Sequence, residues 1–178
     1  MFYDPKYLKF VSQIDKCLEI EFQFRLLSFN LKLKSKISQN LNSKIKMNYW
    51  LVKSEPGSYS WEDLVAKGED VWDGVRNYQA RNFLREMKKG DLVYFYHSGK
   101  EKAIIGLAEV SEEAFPDPKD ADWVAVKIKE KQKLKNPITL SQIKSEDLLS
   151  DMLLIKQSRL SVMPVKKSEF DKIQKMSI

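Results

Sequence analysis

Cysteine is almost missing from this chain: Cys17 stands alone, so no disulfide can form within it and there are too few thiols for a structural zinc site. That pattern suits a reducing compartment, the cytoplasm, or the nucleus if the source is a eukaryote. Histidine is equally scarce, with His97 the only one. With one imidazole, no cysteine after Met47 and no evident serine-nucleophile motif, neither a metal cluster nor a nucleophilic triad can be assembled, and no cofactor is called for. No apolar run approaches the roughly 20 residues that span a bilayer, and no internal repeat is visible.

Residues 1–46 have their own absences. They hold no glycine and no tryptophan, whereas all six glycines and all four tryptophans (Trp50, Trp61, Trp72, Trp123) lie beyond Met47. Their nine basic and four acidic side chains carry five of the net +6, so residues 47–178 are close to neutral. A polyanion would therefore have to be met by a local patch rather than by a bulk positive field. Leu8, Val11, Ile14, Leu18 and Phe22 fall near helical spacing, but 29–46 is a Leu/Lys/Ser/Asn mixture with no sustained period. Residues 1–46 read as an N-terminal appendage, the product of an upstream start or a disordered extension, with early acids arguing against a secretory signal. Residues 47–178 read as the functional domain.

Within 47–178, strand signals run over Tyr49–Lys53, Leu92–His97, Ala103–Val110 and Trp123–Lys129. Gly99 marks a hairpin between the second and third of these. Ser60 and Asp63 form a capping-box pattern with Gly68 as the stop, and Asn77 caps a second helix expected to run to Lys88–Lys89 and to end at Gly90. Pro137–Ile143 and Ser168–Met176 supply further helical segments. Interleaved strands and short helices predict an α+β fold, a small mixed β-barrel of about five or six strands with peripheral helices.

The stretch from Trp72 to Asn82 crowds an aromatic ring, a carboxylate, two arginines and several amides around Gly74. Trp72 offers a flat face for stacking, Asp73 an acceptor for an exocyclic amino group, and Arg76 and Arg81 forked cations suited to phosphate. Asn77 serves either as a helix cap or as a base contact. Arg81, one turn on, either completes a phosphate clamp with it or is a solvated arginine paired with Glu86. His97 and Ser98 are candidates for a pocket rim, although a lone histidine there is more often structural. The lysines at 127, 129, 131, 133 and 135 read as a solvated or edge-guarding row rather than a phosphate track.

Five blocks resemble the EVE domain family of PUA-like barrels, relatives of the YTH readers of methylated adenine. They are Tyr49-Trp-Leu-Val-Lys-Ser-Glu-Pro, Val71-Trp-Asp-Gly-Val-Arg-Asn-Tyr-Gln-Ala-Arg-Asn-Phe-Leu, Gly90-Asp-Leu-Val-Tyr-Phe-Tyr-His-Ser, Gly106-Leu-Ala-Glu-Val and Arg159-Leu-Ser-Val-Met-Pro-Val. The resemblance covers 47–178 and implies a non-enzymatic nucleic-acid-binding module, whose partner is DNA or RNA carrying a modified base. It places Lys53 and Ser54 at the pocket mouth, Trp72 as a cage tryptophan, Glu55 and Asp73 near the base edge, and Arg159 near a backbone phosphate. The second cage aromatic of the YTH readers has no clean match, so specificity for methylated adenine is not implied. On this reading Trp72→Ala costs binding with little change in fold. Two alternatives stay open: an ASCH-like nuclease, if Glu55, Asp73, His97 and Lys53 converge, and a nucleotide or small-molecule sensor.

Overall fold

The computed structural model describes residues 47–178; the readings made above for residues 1–46, Cys17 included, lie outside the described residues. Six strands carry the domain: β1 (Tyr49–Ser54), β2 (Glu69–Trp72), β3 (Leu92–His97), β4 (Ala103–Asp117), β5 (Asp120–Thr139) and β6 (Val162–Val165). Five short helices surround them: α1 (Trp61–Lys67), α2 (Tyr78–Glu86), α3 (Leu140–Lys144), α4 (Leu153–Lys156) and α5 (Lys167–Met176), with a single 3₁₀ turn at Asp147–Leu149. The strands form one mixed sheet in the order β2-β5-β4-β3-β1-β6, parallel only between β1 and β3.

The α+β class is as expected, but the barrel is not closed: β2 and β6 are the two edges of the sheet. What coils it is β4 and β5, far longer than the sequence signal suggested. Their pairing shifts register at five places along its length. Each shift inserts or skips a residue, which bends the strand and increases its twist. The short edge strands are the two that no strand signal marked. β2 is polar and only four residues long, and β6 contains Pro164, which a sheet tolerates at an edge because the missing N–H is not required there.

The centre of the sheet is buried on both faces. Trp50, Leu51 and Val52 of β1 and Val93 to Tyr96 of β3 are nearly or wholly inaccessible, which explains their continuous apolar runs in place of alternation. Ser60 caps α1, its hydroxyl accepting from the Asp63 amide while the Asp63 carboxylate accepts from the Ser60 amide; Gly68 stops the helix at φ 76°. α2 ends at Glu86, earlier than expected. The buried carboxylate of Asp91 draws the chain out of the helix by accepting from the Lys88 amide, the Asn48 amide and the Trp50 indole N–H. Pro137 is likewise not helical but sits near the end of β5, and Thr139 caps α3.

One glycine is fixed by contact. A Cβ placed on Gly106 of β4 would lie 2.5 Å from the ring of Trp61, which is fully buried at the start of α1. Only a missing side chain lets α1 seat its indole on the sheet. Gly106→Ala is expected to destabilise the fold by about 1–3 kcal/mol through overpacking, measurable as a lower urea midpoint; an unchanged midpoint would show that the indole shifts freely.

Candidate functional site

Where the coiled sheet fails to close there is a hollow of about 500 Å³. Its walls come from the end of β1 (Lys53, Ser54), from β2 and the loop after it (Asp70 to Arg76), from Tyr59 and Lys67 flanking or within α1, and from Ser161 just before β6. Lys119 in the β4–β5 turn completes the rim. The β2 edge and the residue entering β6 therefore both contribute, and β1 is tied to the chain there by a hydrogen bond from the Lys53 amide to the Ser161 carbonyl, 2.8 Å.

Trp72 forms one wall. Its indole is 9% exposed and makes edge-to-face contacts with Tyr59 and Phe95, at centroid distances of 6.1 and 5.4 Å. It is thus both a core residue and a pocket residue, which corrects the expectation that truncation would spare the fold. Trp72→Ala would remove packing worth about 3–5 kcal/mol as well as any stacking surface.

The loop after β2 is held by Asp117, a carboxylate at the end of β4 with 2% exposure. It accepts from the Gly74 amide (2.9 Å), the Arg76 guanidinium (2.8 Å) and the Lys119 amide (2.8 Å). Burial alone would push its pKa up, but these donors outweigh it and hold the group at about 2. Gly74 has φ 72°, so the turn that presents Asp73 favours a residue without a side chain. Asp73 faces Lys119 at 3.0 Å.

Two residues before Trp72 on β2, Asp70 accepts from the Tyr59 hydroxyl (2.8 Å) and from Lys67 (2.5 Å). Burial opposes ionisation of Asp70, yet those two hydrogen bonds win and lower its pKa. Burial first, and then the Asp70 carboxylate, raise the pKa of Tyr59. Lys53 donates to the Ser158 carbonyl at 2.5 Å, and its partial burial lowers its pKa.

Of the residues singled out in the sequence, Lys53, Ser54, Trp72, Asp73 and Arg76 line this hollow. The others do not. Glu55 is exposed beside Gly99 and is not part of the lining. His97 is 2% exposed: its Nε2 accepts from the Trp61 amide (2.9 Å), which puts the ring proton on Nδ1 facing Glu101 (2.6 Å). It is a structural histidine that anchors α1 rather than a rim residue. Ser98 closes a backbone contact by donating to the Ser54 carbonyl. Consequently Glu55, Asp73, His97 and Lys53 do not converge into an acid–base set.

Asn77 acts as the cap of α2, accepting from the Ala80 amide at 3.0 Å. With Arg159 it lines a separate, shallower depression of about 310 Å³. Arg81 is paired neither with Asn77 nor with Glu86; its guanidinium lies over the rings of Tyr78 and Trp123. Four of the five β5 lysines are tied down: Lys127 to Glu69 and Glu112, Lys129 and Lys131 to Glu109, and Lys133 to Glu62. Tyr59, Lys67, Asp70, Asp117 and Lys119 are the pocket-building residues that sequence reasoning missed. The Tyr59 and Lys67 contacts depend on tertiary placement, and only the acidic cluster Asp117–Asp122 around Pro118 hinted at a built turn.

The hollow at the open seam of this mixed sheet thus has one aromatic wall, with lysines, an arginine, serines and carboxylates in the rest of its lining. The EVE domain model matches residues 48–176, and the chain belongs to the EVE domain family. It is similar to thymocyte nuclear protein 1 of Gallus gallus, 38% identical over 176 residues that cover 79% of this chain and 73% of that one. Among solved structures it resembles a Rhodopseudomonas palustris protein at 47% identity and TM-score 0.71, covering 74% of this chain and 93% of that one. It also resembles the human THYN1 protein crystallised in complex with 5-methylcytosine containing DNA, at 35% identity and TM-score 0.69, covering 73% and 97%.

The depressed pKa of Asp117 makes the loop acid-sensitive. Because the folded value, about 2, lies below the unfolded value near 4, its contribution is complete above pH 4 and is lost as pH falls towards 2. Urea titrations across that range should show Asp117→Asn with a flatter acid limb and lower stability at pH 7. Superimposable pH profiles for the two proteins would remove Asp117 from this role.

Proposed function

We propose that this domain is a non-enzymatic reader of nucleic acid that takes one modified base, of the 5-methylcytosine type, into the hollow beside Trp72. The observation that carries the reading is the pairing of an indole wall with an accessible cavity whose remaining lining is mostly hydrogen-bonding and charged. The DNA named with the human relative supports a methylated pyrimidine as the ligand.

The lining has the chemistry such a base needs. Trp72 supplies a π-surface, and the Asp73 carboxylate can accept from the exocyclic amino group of cytosine. Ser58 and Ser161 hydroxyls both donate and accept, and Ser54, whose proton goes to the Tyr59 carbonyl at 2.6 Å, can still accept; together they suit the ring nitrogen and carbonyl of a pyrimidine edge. Val71 and Val75 provide the apolar surface that a 5-methyl group would bury. Lys53, Lys67, Arg76 and Lys119 ring the opening, where backbone phosphates of an extruded nucleotide would lie. The site is a tuned recess rather than a basic groove, so affinity rests on a few contacts and is salt-sensitive.

Magnitudes set what to look for. One buried methyl carbon is worth about 0.8 kcal/mol, which is roughly a fourfold preference for the methylated base. Losing an aligned amino-group contact costs about 1–3 kcal/mol. Fluorescence anisotropy with short strands carrying 5-methylcytosine or cytosine is therefore expected to show a preference of that small size. Asp73→Asn should weaken binding to both strands, and Trp72→Phe should weaken it while keeping the core filled. Binding indifferent to both substitutions, or cutting of the strands in the presence of magnesium, would defeat the reading.

A further inference from the structure

Beside the pocket lies an aromatic and cationic cluster of which the reading above uses only Arg76. Tyr78, at the first position of α2, is 68% exposed. Its ring lies 5.2 Å from that of Trp123 on β5, tilted by 35°. The Arg81 guanidinium sits over both rings, 4.8 Å from Tyr78 and 5.1 Å from Trp123, and Arg76 lies over Trp123 at 5.5 Å. Arg81 Nε is buried without a hydrogen-bond partner among the described residues, and its Nη1 reaches only the Asp122 carbonyl, at 3.3 Å. The rings therefore help to hold this arginine in place.

A cation–π staple between α2 and β5 would explain the arginines and Trp123. It does not explain Tyr78, whose ring would gain more from burial than from being left two-thirds exposed. Arg76 is already paired with Asp117 and Asp120, and Arg81 lies against the two rings, so what the cluster leaves open to solvent is chiefly the Tyr78 ring. It is well suited to a flat, polarisable ring with a charged backbone nearby. Arg76 also lines the pocket, so one side chain borders both the hollow and the cluster.

We infer that Tyr78, supported by Trp123 and Arg81, is a stacking platform for the unpaired nucleotide adjoining the base held beside Trp72. The platform supplies no base identity, since every base has a π-face; it supplies affinity and a requirement for an extended strand. This inference rests on the base-reading proposal. It adds that the ligand is at least a dinucleotide step of single-stranded or locally opened nucleic acid.

Two probes separate the claims: free 5-methyl-2′-deoxycytidine, which can fill only the pocket, and a short single strand carrying the same base with neighbours on both sides. The strand should bind more tightly than the nucleoside. Tyr78→Ala should lower strand affinity about 5- to 150-fold and leave nucleoside affinity unchanged. Tyr78→Phe, which keeps the π-face, should bind the strand like wild type, whereas Tyr78→Leu, which keeps apolar bulk alone, should fall with alanine. A purely structural role would change melting temperature and not this pattern. If the nucleoside binds and Tyr78→Ala and Tyr78→Leu both leave strand affinity intact, the platform is wrong and the pocket survives. If wild type takes up neither probe, the base-reading proposal fails and the platform with it.

Discussion

Asp117 is the constraint on which the site depends. One carboxylate, nearly sealed from solvent, collects donors from the loop after β2 and from the turn between β4 and β5. A buried anion is costly unless its lone pairs are filled, and here two amides and a guanidinium fill them. The result is that Asp73, Gly74 and Arg76 are presented from a fixed turn, next to a tryptophan that the core itself holds in place. Remove the anion and the three donors lose their common acceptor, so the pocket loop would be the first part of the domain to loosen.

The second physical ingredient is the sheet's incomplete closure. A closed barrel would pair β2 with β6 and fill its interior with side chains. Instead the register shifts in the β4–β5 ladder coil the sheet until its two short edges flank a hollow. The same edges that would threaten an open sheet with unwanted pairing are kept short, and one carries proline. The hollow thus lies where the sheet is left open, with a packed interior immediately behind it.

Much of this was legible in the sequence, and the boundary is instructive. The central strands announced themselves through residues buried on both faces, such as Leu51 and Phe95, and the α1 cap through Ser60 and Asp63. Trp72 stood out because its neighbours were wrong for a core, and it indeed faces a cavity. What stayed hidden were features created by tertiary contact. β2 and β6 are strands only because longer neighbours pair with them, and α2 stops at Glu86 because Asp91, a residue beyond the helix, competes for its backbone. His97, at the end of a strand and the mouth of a hairpin, was a candidate for the pocket rim, yet its ring is an acceptor for a buried amide 36 positions away. Asp70 gave no local signal and Asp117 only the acidic stretch around Pro118, since a carboxylate's role depends on donors that only the fold assembles.

The most direct measurement uses the four indole N–H resonances of a single ¹⁵N-labelled spectrum, because the tryptophans sample four environments. Trp50 is bonded to Asp91, Trp61 is sealed against Gly106, Trp72 walls the hollow and Trp123 lies under the arginines. On titration with a short single strand carrying 5-methylcytosine, the account requires the Trp72 and Trp123 signals to move together while those of Trp50 and Trp61 stay in place. A strand that binds without moving the Trp72 resonance would contradict it.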